Sequence, residues 1–209
     1  MASGSYDQRK LKKIYPSITK NKKLKIYKFG GASIKDVQSI RNVVNILQQE
    51  GTDKCLLVIS AAGKMTNAFE EVVHAYCYDK LQIIRTFEHI RAYHLSIVNK
   101  LFDNENDLVL KELNELFKNL KNTLTTGFKV DGYDFAYDQI VCYGELISTT
   151  IVSHYLNAVG LDTVWNDVRK LIHTDSSYRD AKVNWNRTKS AIQEKVNTTK
   201  LNIVQGFLG

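Results

Sequence analysis

Two short apolar runs, LKIYKF (Leu24 to Phe29) and KCLLVIS (Lys54 to Ser60), flank a segment in which Ile34, Val37, Ile40, Val44 and Leu47 recur at helical spacing. Short apolar runs bounded by turn residues read as strands, and the 3.6-residue recurrence between them reads as a helix. Strand, helix, strand in that order is a crossover unit, so the two strands run parallel and the fold belongs to the α/β class. Gly30 and Gly31 end the first strand. Ser33, with Asp36 three residues on, has the form of a capping box, and Gly51 stops the helix. The near-continuous apolar character of the second run suits a strand buried on both faces.

Beyond Ser60 the turn AAGKMTN leads into FEEVVHAYCY, a helix for which Thr66 or Asn67 can serve as cap. Helical periodicity then persists from Leu81 to about Leu124, which predicts two long helices packed as an antiparallel pair and joined near Asp103 to Asp107. A further helix is expected from about Tyr133 to Asn157, with a stop at Gly160. A strand in DTVWN, an irregular stretch through HTDSSYRDAKV, a helix from about Asn184 to Val196 and a strand in LNIVQGF complete the chain. The expected architecture is a three-layer α/β/α sandwich with a mainly parallel sheet over residues 24–209, truncated at its C-terminal side because the chain stops directly after a strand.

Composition matters chiefly through where the charge lies. The formal charge is +7, but residues 1–23 carry seven basic side chains against Asp7, leaving 22 basic and 21 acidic groups in the rest. The body is near neutral, which argues against nucleic acid as a partner and assigns the basic character to an N-terminal extension, expected to be disordered. That extension lacks the apolar run of a signal peptide, and no segment has the length of a membrane span, so a cytoplasmic protein is expected. Cys55, Cys77 and Cys142 lie in apolar surroundings without CxxC or ligand spacing, which predicts reduced cysteines and no metal site.

Three segments carry residues that chemistry would need. Lys28 stands beside the glycine turn, where exposed backbone N–H groups and a cation would suit phosphate; a tight turn is the plainer alternative. Ser60 and Thr66 place hydroxyls at the end of the second strand, where open α/β sheets bind ligands, though both also fit as turn and cap residues. Glu145, in VCYGELIST, shares a helical stripe with Val141, Ser148 and Val152, so its carboxylate faces the packed side. It could form a structural ion pair, or equally receive the ammonium group of a small substrate.

Taken in order, these segments resemble the aspartate kinase family of the amino-acid-kinase superfamily. KFGGAS (Lys28 to Ser33) is close to that family's K-F-G-G-T-S, with Ala32 in place of the usual threonine. VISAAGKMTN, YGELIST, WNDVRKLIHTDSSYRDA and QGFLG resemble its later segments at compatible spacing, and the likeness runs from about Lys25 to Gly209. The resemblance implies ATP-dependent phosphorylation of the side-chain carboxylate of L-aspartate to 4-phospho-L-aspartate, on the way to lysine, threonine and methionine, with Mg²⁺ accompanying ATP in the complete enzyme and homo-oligomers of that enzyme. It implies that Lys28 holds the transferring phosphoryl oxygens and is the catalytic cation. Gly30, Gly31 and Ala32 would approach the ATP phosphates, and Ser60, Thr66, Glu145 and Phe207 would form the aspartate pocket, with Glu145 on the α-ammonium group. The family's following glycine-rich segment and regulatory ACT domains do not occur in the sequence, so this chain reads as an N-terminal, substrate-side portion that is inactive alone. The rivals are another amino-acid kinase with a different acceptor, and a non-catalytic amino-acid-binding module.

Overall fold

The computed structural model describes residues 24–102, 107–128 and 132–206. The N-terminal extension and Phe207 therefore lie outside the described residues. Four strands form one parallel sheet: β1 (Lys25–Phe29), β2 (Cys55–Ile59), β3 (Thr163–Trp165) and β4 (Leu201–Gln205), in the order β1-β2-β4-β3. Between β1 and β2 lies helix α1 (Val37–Glu50). Between β2 and β3 lie α2 (Met65–Tyr78), α3 (Ile83–Leu101), α4 (Asp107–Thr126) and α5 (Tyr133–Ala158), and α6 (Trp185–Lys195) joins β3 to β4.

Strand order decides where the helices sit. The steps from β1 to β2 and from β2 to β3 cross the sheet in one direction, so right-handed connections place α1 through α5 on one face. The step from β3 back to β4 reverses direction, and α6 lies on the other face, where its Ile192 shares a groove with Leu56 and Val204. This is the expected α/β/α sandwich with a parallel sheet, its two helical layers unequal. The thick layer holds the core: Phe29, Leu57, Ile59 and Ile203 from the sheet meet Leu47 of α1, Phe69 of α2 and Ile147 of α5. Helices α3 and α4 pack outside these, joined through the edge-to-face pair Phe87 and Phe117.

Three local expectations are corrected. Ser33 does not cap α1: Gly31–Ile34 form a single 3₁₀ turn, and Asp36 is the cap, its carboxylate accepting from Ser39 N at 2.8 Å. An aspartate one residue before a helix accepts from the N3 amide at ideal distance, so the helix starts at Val37. Thr66 and Asn67 lie inside the first turn of α2, whose N-cap is Lys64 with no side-chain hydrogen bond. Finally, β1 is an edge strand, with Lys25, Ile26 and Lys28 exposed, and β2 is fully buried only at Cys55, Leu57 and Ile59. Only β4, between two neighbours and two layers, is buried at every residue.

Candidate active site

Parallel strands deliver their C-terminal ends to one edge of the sheet, and the loops that follow β1, β2 and β4 meet there. The first two are held together by backbone. Gly63 N donates to Gly31 O at 2.9 Å, and Ser60 N donates to Phe29 O at 3.1 Å. A Cβ on Gly31 would stand 2.5 Å from Gly63 O and 2.7 Å from Ala61 O, so the bare backbone at this position is required by the neighbouring turn. Gly30 is different. A Cβ there would meet nothing within 4 Å, which leaves the approach to its backbone open.

Lys28 is exposed, next to this turn, and its ammonium group makes no hydrogen bond or ion pair with any described residue. Ala32 is exposed in the 3₁₀ turn. Because Asp36 already occupies the start of α1 and Ser33 N donates to Gly30 O at 2.9 Å, the backbone donors near Lys28 are those of Gly30, Gly31 and Ala32 rather than those of a helix N-terminus.

The carboxylate arrives from α5. Gly144 sits so close to the β2 turn that a Cβ would stand 3.1 Å from both Ala61 Cβ and Phe69 Cδ2. One turn along, Ser148 Oγ donates to Ser60 O at 2.8 Å. Glu145, 5% exposed, lies between these two contacts, and the helix thus carries it to the same end of the sheet as Ser60. Gly206, following β4, adds the third wall: its N–H donates to Ile59 O at 3.2 Å, and a Cβ there would stand 3.4 Å from Ser60 Oγ. The structure thus brings Lys28, Gly30, Gly31 and Ser60 to the ends of adjacent strands, and Glu145 lies on the turn of α5 that packs against the loop after β2. Thr66 is half-buried in the first turn of α2, just beyond the turn that begins at Ser60.

A buried polar network fixes this geometry, and its members escaped the sequence reading. Thr149 Oγ1 donates to Glu145 O at 2.7 Å and accepts from Gln205 Nε2 at 2.9 Å and Trp165 Nε1 at 2.8 Å. Gln205 Oε1 in turn accepts from Val168 N at 2.8 Å. One hydroxyl therefore ties the turn of α5 that bears Glu145 to β3 and β4. The signal in the sequence was a glutamine directly before a glycine at a strand end, where an apolar residue would otherwise pack. Tyr93 of α3 is a second missed residue: its hydroxyl donates to Lys35 O and lies against Gly63, bracing both loops from outside. Burial, aided by Asp36, raises its phenol pKa.

A separate cavity of about 260 Å³ opens between α5 and residues 169–181, lined by Asp138, Cys142, Arg169 and Tyr178. Burial pushes the Cys142 thiol up to about 12, so it stays protonated and is no nucleophile. Arg169 grips Asp167 through two hydrogen bonds, Nε to Oδ1 at 2.9 Å and Nη2 to Oδ2 at 2.8 Å. Burial alone would raise the Asp167 carboxyl, but the Arg169 hydrogen bonds and charge hold it below the usual range. Among the described residues no cluster of three His, Cys, Asp or Glu could hold a metal ion, and no helix is long and apolar enough to cross a membrane.

Residues 23–209 match the model of the amino acid kinase family. The chain is 26% identical over 151 residues to the bifunctional aspartokinase/homoserine dehydrogenase 2 of Escherichia coli, covering 72% of this chain and 18% of that protein. It is 29% identical over 188 residues to the aspartokinase of Chlamydia trachomatis, covering 88% and 40%. Among solved structures, E. coli aspartokinase III in complex with aspartate and ADP superposes with a TM-score of 0.77 at 22% identity, covering 88% of this chain and 41% of that one, a likeness of fold. The chain spans between about a fifth and two fifths of the length of these curated relatives.

Proposed function

Because the chain belongs to the amino acid kinase family, we propose that it provides the acceptor side of an enzyme that transfers the γ-phosphoryl group of ATP to the side-chain carboxylate of L-aspartate. The observation that carries this reading is that Ser148, one turn from the buried Glu145, bonds Ser60 O and so holds that turn of α5 at the strand ends where Lys28 and the open backbone of Gly30 also lie. The aspartokinase names of the relatives support the choice of acceptor.

The transfer brings two anions together, so its demand is for cations and backbone donors rather than a covalent nucleophile. Lys28 meets that demand with an ammonium group that no described residue engages, and Gly30 and Ala32 give the phosphates access to backbone. Gly31 serves by allowing the phosphate-side loop to lie against the acceptor-side loop. Glu145 receives the α-ammonium group of aspartate, where the two charges offset each other's desolvation. Ser60 and Thr66 complete the pocket, to which the resemblance alone also assigns Phe207. Mg²⁺ would enter with the nucleotide phosphates, whose charge it neutralises.

Calorimetric titration of the enzyme that contains this chain tests the assignment. Glu145→Gln is expected to weaken aspartate binding by about 3 kcal/mol, the cost of leaving one member of a buried charge pair alone, with ATP binding unchanged. Equal weakening of both ligands in a folded variant would remove Glu145 from the acceptor pocket.

A further inference from the structure

Gln205 ends β4 on the face from which Leu201 and Ile203 enter the core of the thick layer, and it is 3% exposed. It carries an amide where those two carry only hydrocarbon. The amide is engaged at both ends and in one orientation. Val168 N is a donor only, so the atom that meets it at 2.8 Å is the carbonyl oxygen Oε1. Nε2 is then the group 2.9 Å from Thr149 Oγ1, and an amide nitrogen can only donate. Trp165 Nε1, 2.8 Å from the same oxygen, is also only a donor. Both lone pairs of the Thr149 hydroxyl are thereby taken. Its single proton goes to Glu145 O at 2.7 Å rather than to Leu146 O at 3.2 Å.

Bonds of fixed direction therefore run in series from the 3₁₀ turn at Val168–Lys170, through Gln205 and Thr149, to the residue that bears the buried carboxylate. Ser148 does not duplicate this path, since its one proton is drawn to Ser60 O at 2.8 Å while Glu145 O lies at 3.2 Å. A hydroxyl bonded to the carbonyl four residues back bends a helix locally, so the Thr149 bond sets the tilt of the α5 turn that carries Glu145. Lys28 and Gly30 stand apart from this path. They belong to β1 and its loop, on the far side of β2 from β4.

We propose that Gln205 is a positioning residue for the phosphoryl acceptor: by fixing which way the Thr149 hydroxyl points, it holds Glu145 at the height where it meets the acceptor's ammonium group, and it leaves the nucleotide side untouched. The inference rests on the assignment of Glu145 to that ammonium group.

The test is steady-state kinetics of the enzyme that contains this chain, with variants and parent compared at about pH 9, where even a buried carboxyl is largely ionised. Gln205→Glu keeps the shape and still accepts from Val168 N, but its carboxylate has no donor for Thr149. The Thr149 proton then turns to the new carboxylate and leaves Glu145 O. KM for aspartate is expected to rise about tenfold or more, with KM for ATP within about twofold of the parent. The added negative charge would by itself favour an ammonium ligand, so repulsion does not account for such a loss. Thr149→Val deletes the same bond to Glu145 O and carries the same expectation should Gln205→Glu not fold, and Thr149→Ser should recover most of the aspartate affinity that valine loses. Asn202→Leu is the control. Asn202 is a second buried amide of β4, 4% exposed, bonded to Asn166, Asn197 and Lys200 on the opposite face of the sheet. Its loss should lower the urea midpoint and leave both KM values unchanged. Equal KM shifts for both substrates in Gln205→Glu, or an aspartate shift in Asn202→Leu, overturns the proposal. So does an unchanged aspartate KM in Gln205→Glu when Glu145→Gln does weaken aspartate binding, an outcome that leaves the Glu145 assignment standing. An aspartate effect in neither variant removes that assignment, and this inference with it.

Discussion

A methyl group on Gly31 would stand 2.5 Å from one carbonyl oxygen and 2.7 Å from another, whereas on Gly30 it would meet nothing. Gly31→Ala should therefore destabilise the fold by roughly 2 kcal/mol as the two loops are forced apart, and Gly30→Ala should leave urea denaturation unchanged. Denaturation midpoints of the two variants check this directly. The pair of glycines is legible in the sequence as a turn, but their different reasons are not, because the atoms that crowd Gly31 come from a turn thirty residues away. His94 makes the same point. Fully buried in α3, it bonds Ile90 O through Nδ1 at 2.8 Å, and its Nε2 has no hydrogen-bond partner. Burial lowers its pKa from 6.5 to about 4, since the backbone bond only partly offsets desolvation. The folded imidazole then stays neutral while the unfolded one takes up a proton, so stability is unaffected well above pH 6.5 and falls as pH drops from 6.5 towards 4, by roughly 3 kcal/mol in all. His94→Leu should flatten that slope, measured by urea denaturation at pH 7 and pH 5.

At the scale of elements, the geometry of the site rests on Thr149. Replacing it with valine keeps the shape but leaves the Trp165 indole N–H and the Gln205 amide without their acceptor in a buried setting. Thr149→Val should cost about 2–4 kcal/mol, and a full loss of near-ultraviolet signal from Trp165 relative to the parent would accompany any shift of β3. A change below about 0.5 kcal/mol would mean that the network reorganises freely. Element types were readable because their periodicities are strong: α5 and α6 fall close to the expected spans, and α1 stops at Gly51 as expected. Cap positions were less so, since Ser33 and Asp36 both have the chemistry of a cap and only the 3₁₀ turn at Gly31–Ile34 decides between them. The exposure of Lys28 was not legible for a related reason. An apolar strand with one lysine looks alike at the centre or the edge of a sheet, and neighbours settle the matter.

For the whole molecule, the order β1-β2-β4-β3 is what the sequence could not reveal, because nothing local in LNIVQ distinguishes an inner strand from an outer one. Its content as a fully buried strand is nonetheless visible afterwards in the absence of charge from Leu201 to Gln205. Native-state hydrogen exchange should reflect the order: β4 amides slowest, with Ile26 and Lys28 about a hundredfold faster than Tyr27 and Phe29, which bond to β2. Uniform exchange along β1 would show that its outer edge is covered. The same order also sets a timetable for biogenesis. β2 and β3 never touch, and the strand that separates them is the last of the four to leave the ribosome. At roughly 5–20 residues per second, β2 waits on the order of ten seconds with one edge bare before Leu201 is made. Through that interval the nascent helices have no finished sheet to rest on, and a polypeptide released early, by stalling or a premature stop ahead of β4, would present its unsatisfied β2 edge to every other chain in the cell.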